Sequence, residues 1–175
     1  MKKLLIITVL SLIALAAFIY FGAFNDSPSN NQPVEAMQAP AQAASNDLPA
    51  MPLSLMDGSR VMTKNLQGKT ILVLYQPDCD HCQREATQIQ ENLQAFEGYT
   101  LYFISDADFA LQQQFADTYK LAGQENVYFA TATVNDILDQ IGPIQTPSLF
   151  VYSAEGRLVK SFIGETPIEQ ILQVL

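Results

Sequence analysis

Apolar residues occur along this chain in two rhythms. Thr70-Ile71-Leu72-Val73-Leu74-Tyr75 is a continuous apolar and β-branched run, the pattern of a strand buried on both faces. Just beyond it, Cys82, Ala86, Ile89, Leu93 and Phe96 recur at steps of four and three, which predicts an amphipathic helix stopping at Gly98. Tyr99 to Ser105 and Ser148 to Tyr152 predict two more core strands, and Asn126 to Ala130 a short one. Between them, Asp106 or Asp108 can cap a helix through about Ala122, with Phe109, Phe115 and Tyr119 turned inward. Thr133 or Asn135 can start another, carrying Val134, Ile137, Leu138 and Ile141 and closed by Gly142-Pro143.

The ends of the folded part follow the same logic. Met51 to Leu55, the turn Asp57-Gly58, and Arg60-Val61-Met62 predict an edge hairpin. Thr63 can cap a short helical turn ending at Gly68. After the turn at Ala154-Glu155-Gly156, residues Arg157 to Ile163 alternate and predict a strand with one exposed face, and Thr166 to Leu175 a closing helix. Strands alternating with helices imply an α/β fold: a mixed central sheet with helices on both faces, three layers in all, extended by the N-terminal hairpin.

Upstream of this domain, assigned to residues 48–175, the pattern changes. Met1-Lys2-Lys3 precedes an apolar run from Leu4 to Phe24 broken only by Thr8, Ser11 and small residues. A cleavable signal has an apolar region of about 7–15 residues and a bilayer-spanning helix needs about 20. Residues 1–24 therefore read as a signal anchor, with the lysines inside and the rest of the chain outside. Ala14-Leu15-Ala16 keeps open the alternative of cleavage and secretion. Residues 25–47, rich in Asn, Gln, Ser, Pro and Ala, read as a flexible tether. The net charge of −9 argues against nucleic acid as a partner, because phosphate binding needs clustered Lys and Arg.

The candidate chemistry lies in Gln76-Pro77-Asp78-Cys79-Asp80-His81-Cys82-Gln83-Arg84-Glu85, where the central strand feeds the first helix. A helix N-terminus has unpaired N–H groups and the positive end of the macrodipole, which favour thiolate, the reactive form of cysteine. A two-residue spacer lets Cys82 reach Cys79 and close a disulfide. A purely structural bridge over so short a loop would stabilise little. Structural zinc needs four ligands, and the chain has two cysteines and one histidine. The pair reads as a thiol–disulfide redox site that needs neither metal nor cofactor. Outside the cytoplasm such a pair needs a partner to reduce or oxidise it.

With the strand Ile71 to Tyr75, Cys79-x-x-Cys82 opening a helix, and Thr146-Pro147 before Ser148 to Tyr152, the chain resembles the thioredoxin superfamily. The hairpin ending in Leu66-Gln67-Gly68-Lys69 makes it most similar to membrane-tethered oxidoreductases of the bacterial TlpA/ResA type. The resemblance implies that Cys79 attacks a substrate disulfide and Cys82 resolves the intermediate. It implies that Thr146-Pro147 is cis, with the Thr146 backbone free to pair with an extended substrate, and that Glu85 moves protons to or from a thiol. It also implies protein thiol or disulfide substrates and a membrane electron donor or acceptor, favouring the reducing direction. A disulfide-forming oxidant of DsbA type is the alternative, since a spacer histidine also occurs there.

Some positions depart from the pattern. Val73 stands where thioredoxin has a buried Asp, and Asp78 where it has Trp. Asp78 and Asp80 oppose a Cys79 thiolate, and His81, if cationic, favours it and tunes the potential. A peroxiredoxin would have a hydroxyl at the position of Gln76, and a Sco-type copper chaperone a wider cysteine spacing and a distant histidine.

Overall fold

The computed structural model describes residues 46–175. The expected anchor over residues 1–24 and nearly all of the expected tether lie outside them. Among the described residues no helix is long and apolar enough to cross a membrane.

Seven strands form one sheet: β1 (Pro52–Leu55), β2 (Arg60–Met62), β3 (Lys69–Leu74), β4 (Tyr99–Ser105), β5 (Val127–Thr131), β6 (Ser148–Tyr152) and β7 (Leu158–Ile163). Their spatial order is β2-β1-β5-β4-β3-β6-β7. β3, β4 and β5 are mutually parallel neighbours, and β6, β7 and the hairpin β1–β2 pair antiparallel. Four helices pack on this sheet: α1 (Asp80–Glu91), α2 (Phe109–Thr118), α3 (Val134–Gln140) and α4 (Ile168–Leu172).

The alternation of a strand divides the core in two. Ile71, Val73 and Tyr75 face one way, against Cys82, Ala86 and Ile89 of α1, Phe115 of α2 and Ile171 of α4. Leu72 and Leu74 face the other, against Met51, Leu53 and Ile137 of α3. The sheet therefore carries α1, α2 and α4 on one face and α3 on the other. This is the mixed, three-layer, thioredoxin-like α/β fold that the sequence predicts. β3 is flanked by β4 and β6 inside the sheet, and its C-terminal end leads into the segment that carries the cysteines.

Several local expectations give way to tertiary contacts. α2 stops at Thr118 because Lys120 adopts a left-handed backbone (φ 53) and the Leu121 and Ala122 N–H groups turn back onto the Ala116 carbonyl. Leu121 then drops into the core. Phe109 is exposed, not inward; the buried stripe of α2 starts at Gln112. Gln112 donates to the Ala107 carbonyl and Thr131 Oγ1 and accepts from the Tyr75 hydroxyl. α1 breaks at Asn92, and Leu93–Phe96 forms a 3-10 turn instead of continuing it. Thr63 caps nothing: its buried hydroxyl accepts the Met51 N–H and donates to the Pro49 carbonyl. Val134 and Leu138 on α3 are exposed, and α4 is five residues long, with no side-chain cap from Thr166. On β7, an edge strand of the sheet, only Phe162 is buried.

Candidate active site

β3 ends at Leu74, Gln76-Pro77-Asp78 turns the chain, and α1 begins. Cys79 is the N-cap of α1, and its half-buried Sγ accepts the Cys82 N–H at 3.4 Å. One of the helix's unpaired donors is thus aimed at this sulfur, where it stabilises negative charge. Cys82 is 2% exposed, one turn inside the helix, and its Sγ accepts the Gln76 N–H at 3.5 Å. The two thiols are free, and they interact across the first turn of α1. Burial pushes Cys82 up to about 12, reinforced by its contact with Cys79 and opposed by the Gln76 N–H. Cys79 is the accessible sulfur and Cys82 sits behind it as a neutral thiol.

The loop before β6 completes the site. Thr146-Pro147 is a cis peptide bond, as the resemblance implies. The Cys79 thiol lies 3.7 Å from the Thr146 carbonyl oxygen, and Pro147 is buried. Two clefts open beside the Gln76-Pro77-Asp78 turn that leads to Cys79. One, about 250 Å³, runs from Gln76 and Thr146 to Val134, Leu138 and Ile144. The other, about 400 Å³, runs from Pro77 and Asp78 to Leu111 and Tyr119.

The structure brings Cys79, Cys82, Thr146 and Pro147 together. Among the described residues no hydrogen bond joins His81 or Glu85 to either sulfur. His81 Nδ1 lies 2.6 Å from Glu165 Oε2, and Arg84 Nη2 lies 2.6 Å from the same nitrogen. Arg84 grips Glu165 with two contacts of 2.7 Å. Asp80, the first residue of α1, is exposed and its charge reaches Arg84. Glu85 is 2% exposed, and burial pushes its carboxyl up to about 7. The Thr166 backbone approaches it, but neither oxygen completes a hydrogen bond.

Two participants have no sequence signature. Glu165 lies 81 residues after Arg84, in the loop before α4, and belongs to no motif. Gln76 holds Cys82 through its N–H, while its side chain accepts from Ser105 and donates to Asp106. Only its place at the end of the central strand marks it.

Residues 56–175 match the thioredoxin-like domain family. No curated protein matches the chain in sequence. Among solved structures it is similar to a secreted Mycobacterium tuberculosis disulfide oxidoreductase homologous to E. coli DsbE, at 20% identity, with 72% of this chain and 96% of that chain covered and a TM-score of 0.57. StoA from Bacillus subtilis is also 20% identical, covering 73% of this chain and 97% of its own, with a TM-score of 0.56. Arenicola marina peroxiredoxin 6 reaches a TM-score of 0.63 at 12% identity, covering 74% of this chain and 70% of its own. At such identities the likeness is one of fold. With the family match spanning the sheet, the cysteine-bearing helix and the Thr146-Pro147 loop, the chain belongs to the thioredoxin-like family.

Proposed function

We propose that this chain is a thiol–disulfide oxidoreductase, tethered outside the cytoplasm by residues 1–24, that reduces disulfides in protein substrates. The observation that carries this reading is the pairing of an accessible Cys79 sulfur at the helix N-cap with a buried, neutral Cys82 thiol in contact with it. The Cys79 thiolate attacks one sulfur of a substrate disulfide, forming a mixed disulfide and releasing the other substrate sulfur as thiolate. Cys82 then loses its proton and attacks Cys79 Sγ. The second substrate sulfur leaves, and the Cys79–Cys82 disulfide remains. Two electrons have moved to the substrate, and a membrane dithiol donor returns them by the same exchange in reverse.

The reducing direction is supported by Cys82. A strong oxidant is one whose reduced form is stabilised. A thiol pushed up to about 12 adds no second thiolate to that form. The Thr146 carbonyl beside Cys79 offers an extended substrate segment a backbone partner. Glu85, buried on α1 three residues after Cys82 and poised near neutrality, exchanges the Cys82 proton through a water entering the opened pair.

Replacing Cys82 with Ser removes the resolving thiol. Expressed in a host membrane fraction, Cys82→Ser should accumulate mixed disulfides on Cys79 that a reductant releases, and Cys79→Ser should accumulate none. Failure of Cys82→Ser to trap any protein would overturn the reading.

A further inference from the structure

Glu165 is placed too firmly for a passing surface contact. Gly164, with φ 83, turns the chain, and its N–H donates to the Pro147 carbonyl at 2.8 Å. Three residues beyond Glu165, the Ile168 N–H donates to Gln88 Oε1 on α1 at 3.0 Å. The segment between is thus fastened both to the cis-proline loop and to the cysteine-bearing helix. From it Glu165, with 26% of its side chain exposed, takes the Arg84 guanidinium through both oxygens and His81 Nδ1 through one. The Arg84 guanidinium and the His81 ring, both in the first turns of α1, therefore meet at a single carboxylate.

Arg84 matters to the chemistry because it lies five residues along the helix that Cys79 caps, close enough for its charge to act on that sulfur. An unopposed guanidinium there would stabilise the Cys79 thiolate. We propose that Glu165 is a positioning residue that sets the reduction potential of the Cys79–Cys82 pair, neutralising Arg84 and occupying His81 so that neither stabilises the thiolate. The inference rests on the reading of the pair as a disulfide-exchange centre. The titratable groups around Arg84 are Glu165, His81, Asp80 and Cys79, and the Glu165 charge also reaches the buried Glu85. Hydrogen bonds from Arg84 and, next, His81 hold the Glu165 carboxyl down at about 2, so the carboxylate is charged throughout the neutral range. Withholding positive charge from the thiolate destabilises the reduced form and makes the pair a stronger reductant.

The experiment measures the equilibrium of the full chain with glutathione. Glu165→Gln should shift it about fivefold toward the reduced form. That is about 20 mV more positive, at about 30 mV per tenfold, and is the size expected of one charge near a sulfur at the protein surface. Iodoacetamide should alkylate Cys79 faster in this variant at pH 6. Arg84→Gln should shift the equilibrium the opposite way, and the double variant should return close to the parent. A loop merely loosened by mutation would move both single variants in one direction and would not be restored in the double. Unmoved potentials, or shifts of the same sign, would overturn the clamp while leaving exchange intact. A parent chain that never equilibrates with glutathione would overturn the exchange reading itself.

Discussion

Replacing Glu85 with Gln should stabilise the reduced protein at pH 8 and change it little at pH 4. The side chain is 2% exposed, and neither carboxyl oxygen completes a hydrogen bond. Burial is the largest cause of its rise from 4.5 to about 7; the Thr166 backbone opposes the rise and the Glu165 charge adds to it. The folded protein therefore holds this proton more tightly than the unfolded chain. Stability falls as pH rises from about 4.5 to about 7, and the loss is complete above that. That rise, at about 1.4 kcal/mol per pH unit, amounts to roughly 3.5 kcal/mol as an upper figure. Gln keeps the shape and the unmet polar atoms of the protonated acid, so the net gain at pH 8 should be about 2–3 kcal/mol. The assay is urea denaturation of parent and variant, with the cysteines kept reduced, at steps from pH 4 to pH 8. Other groups with resolved shifts stay out of this window: Cys82 is pushed up to about 12, and Glu165 is held down at about 2. Parallel stability profiles between pH 5 and pH 8 would refute the reasoning, as would a variant less stable than the parent at pH 8.

Iodoacetamide at pH 8 should give a single adduct, on Cys79, because Cys82 is both buried and held neutral; mass spectrometry of the digested protein would show it. Gln112→Ala should cost about 2–4 kcal/mol, read as a lower urea midpoint with an unchanged slope. It leaves the Tyr75 hydroxyl and the Ala107 carbonyl without their buried partner.

Local pattern carried the identity of the elements because each strand and helix has to hide an apolar face of its own period. The run Thr70 to Tyr75 had no polar face, as befits a strand covered on both sides, and the β3 burial pattern follows it residue by residue. The cysteines were legible for the same reason: the change of period from two to 3.6 falls between Tyr75 and Cys82 and puts them at a helix start. Element ends were less legible. The stop of α2 depends on the Lys120 backbone and the descent of Leu121 into a core that distant strands build. Phe109 looked inward by type, yet the first buried position of that helix is Gln112, which the chain satisfies with groups from three other segments.

By itself, then, the sequence determined the order and kind of the elements, the cysteine pair and its place at the head of α1. Periodicity and cysteine spacing are properties of neighbouring residues. The tertiary structure alone decided that the Thr146 carbonyl faces Cys79, that Glu165 claims Arg84 and His81, and that Glu85 is sealed from water without a full hydrogen bond. Each of these depends on loops brought together by the strand order β4-β3-β6-β7. Electrostatics at the site is a matter of distances across that sheet end, which no local pattern encodes.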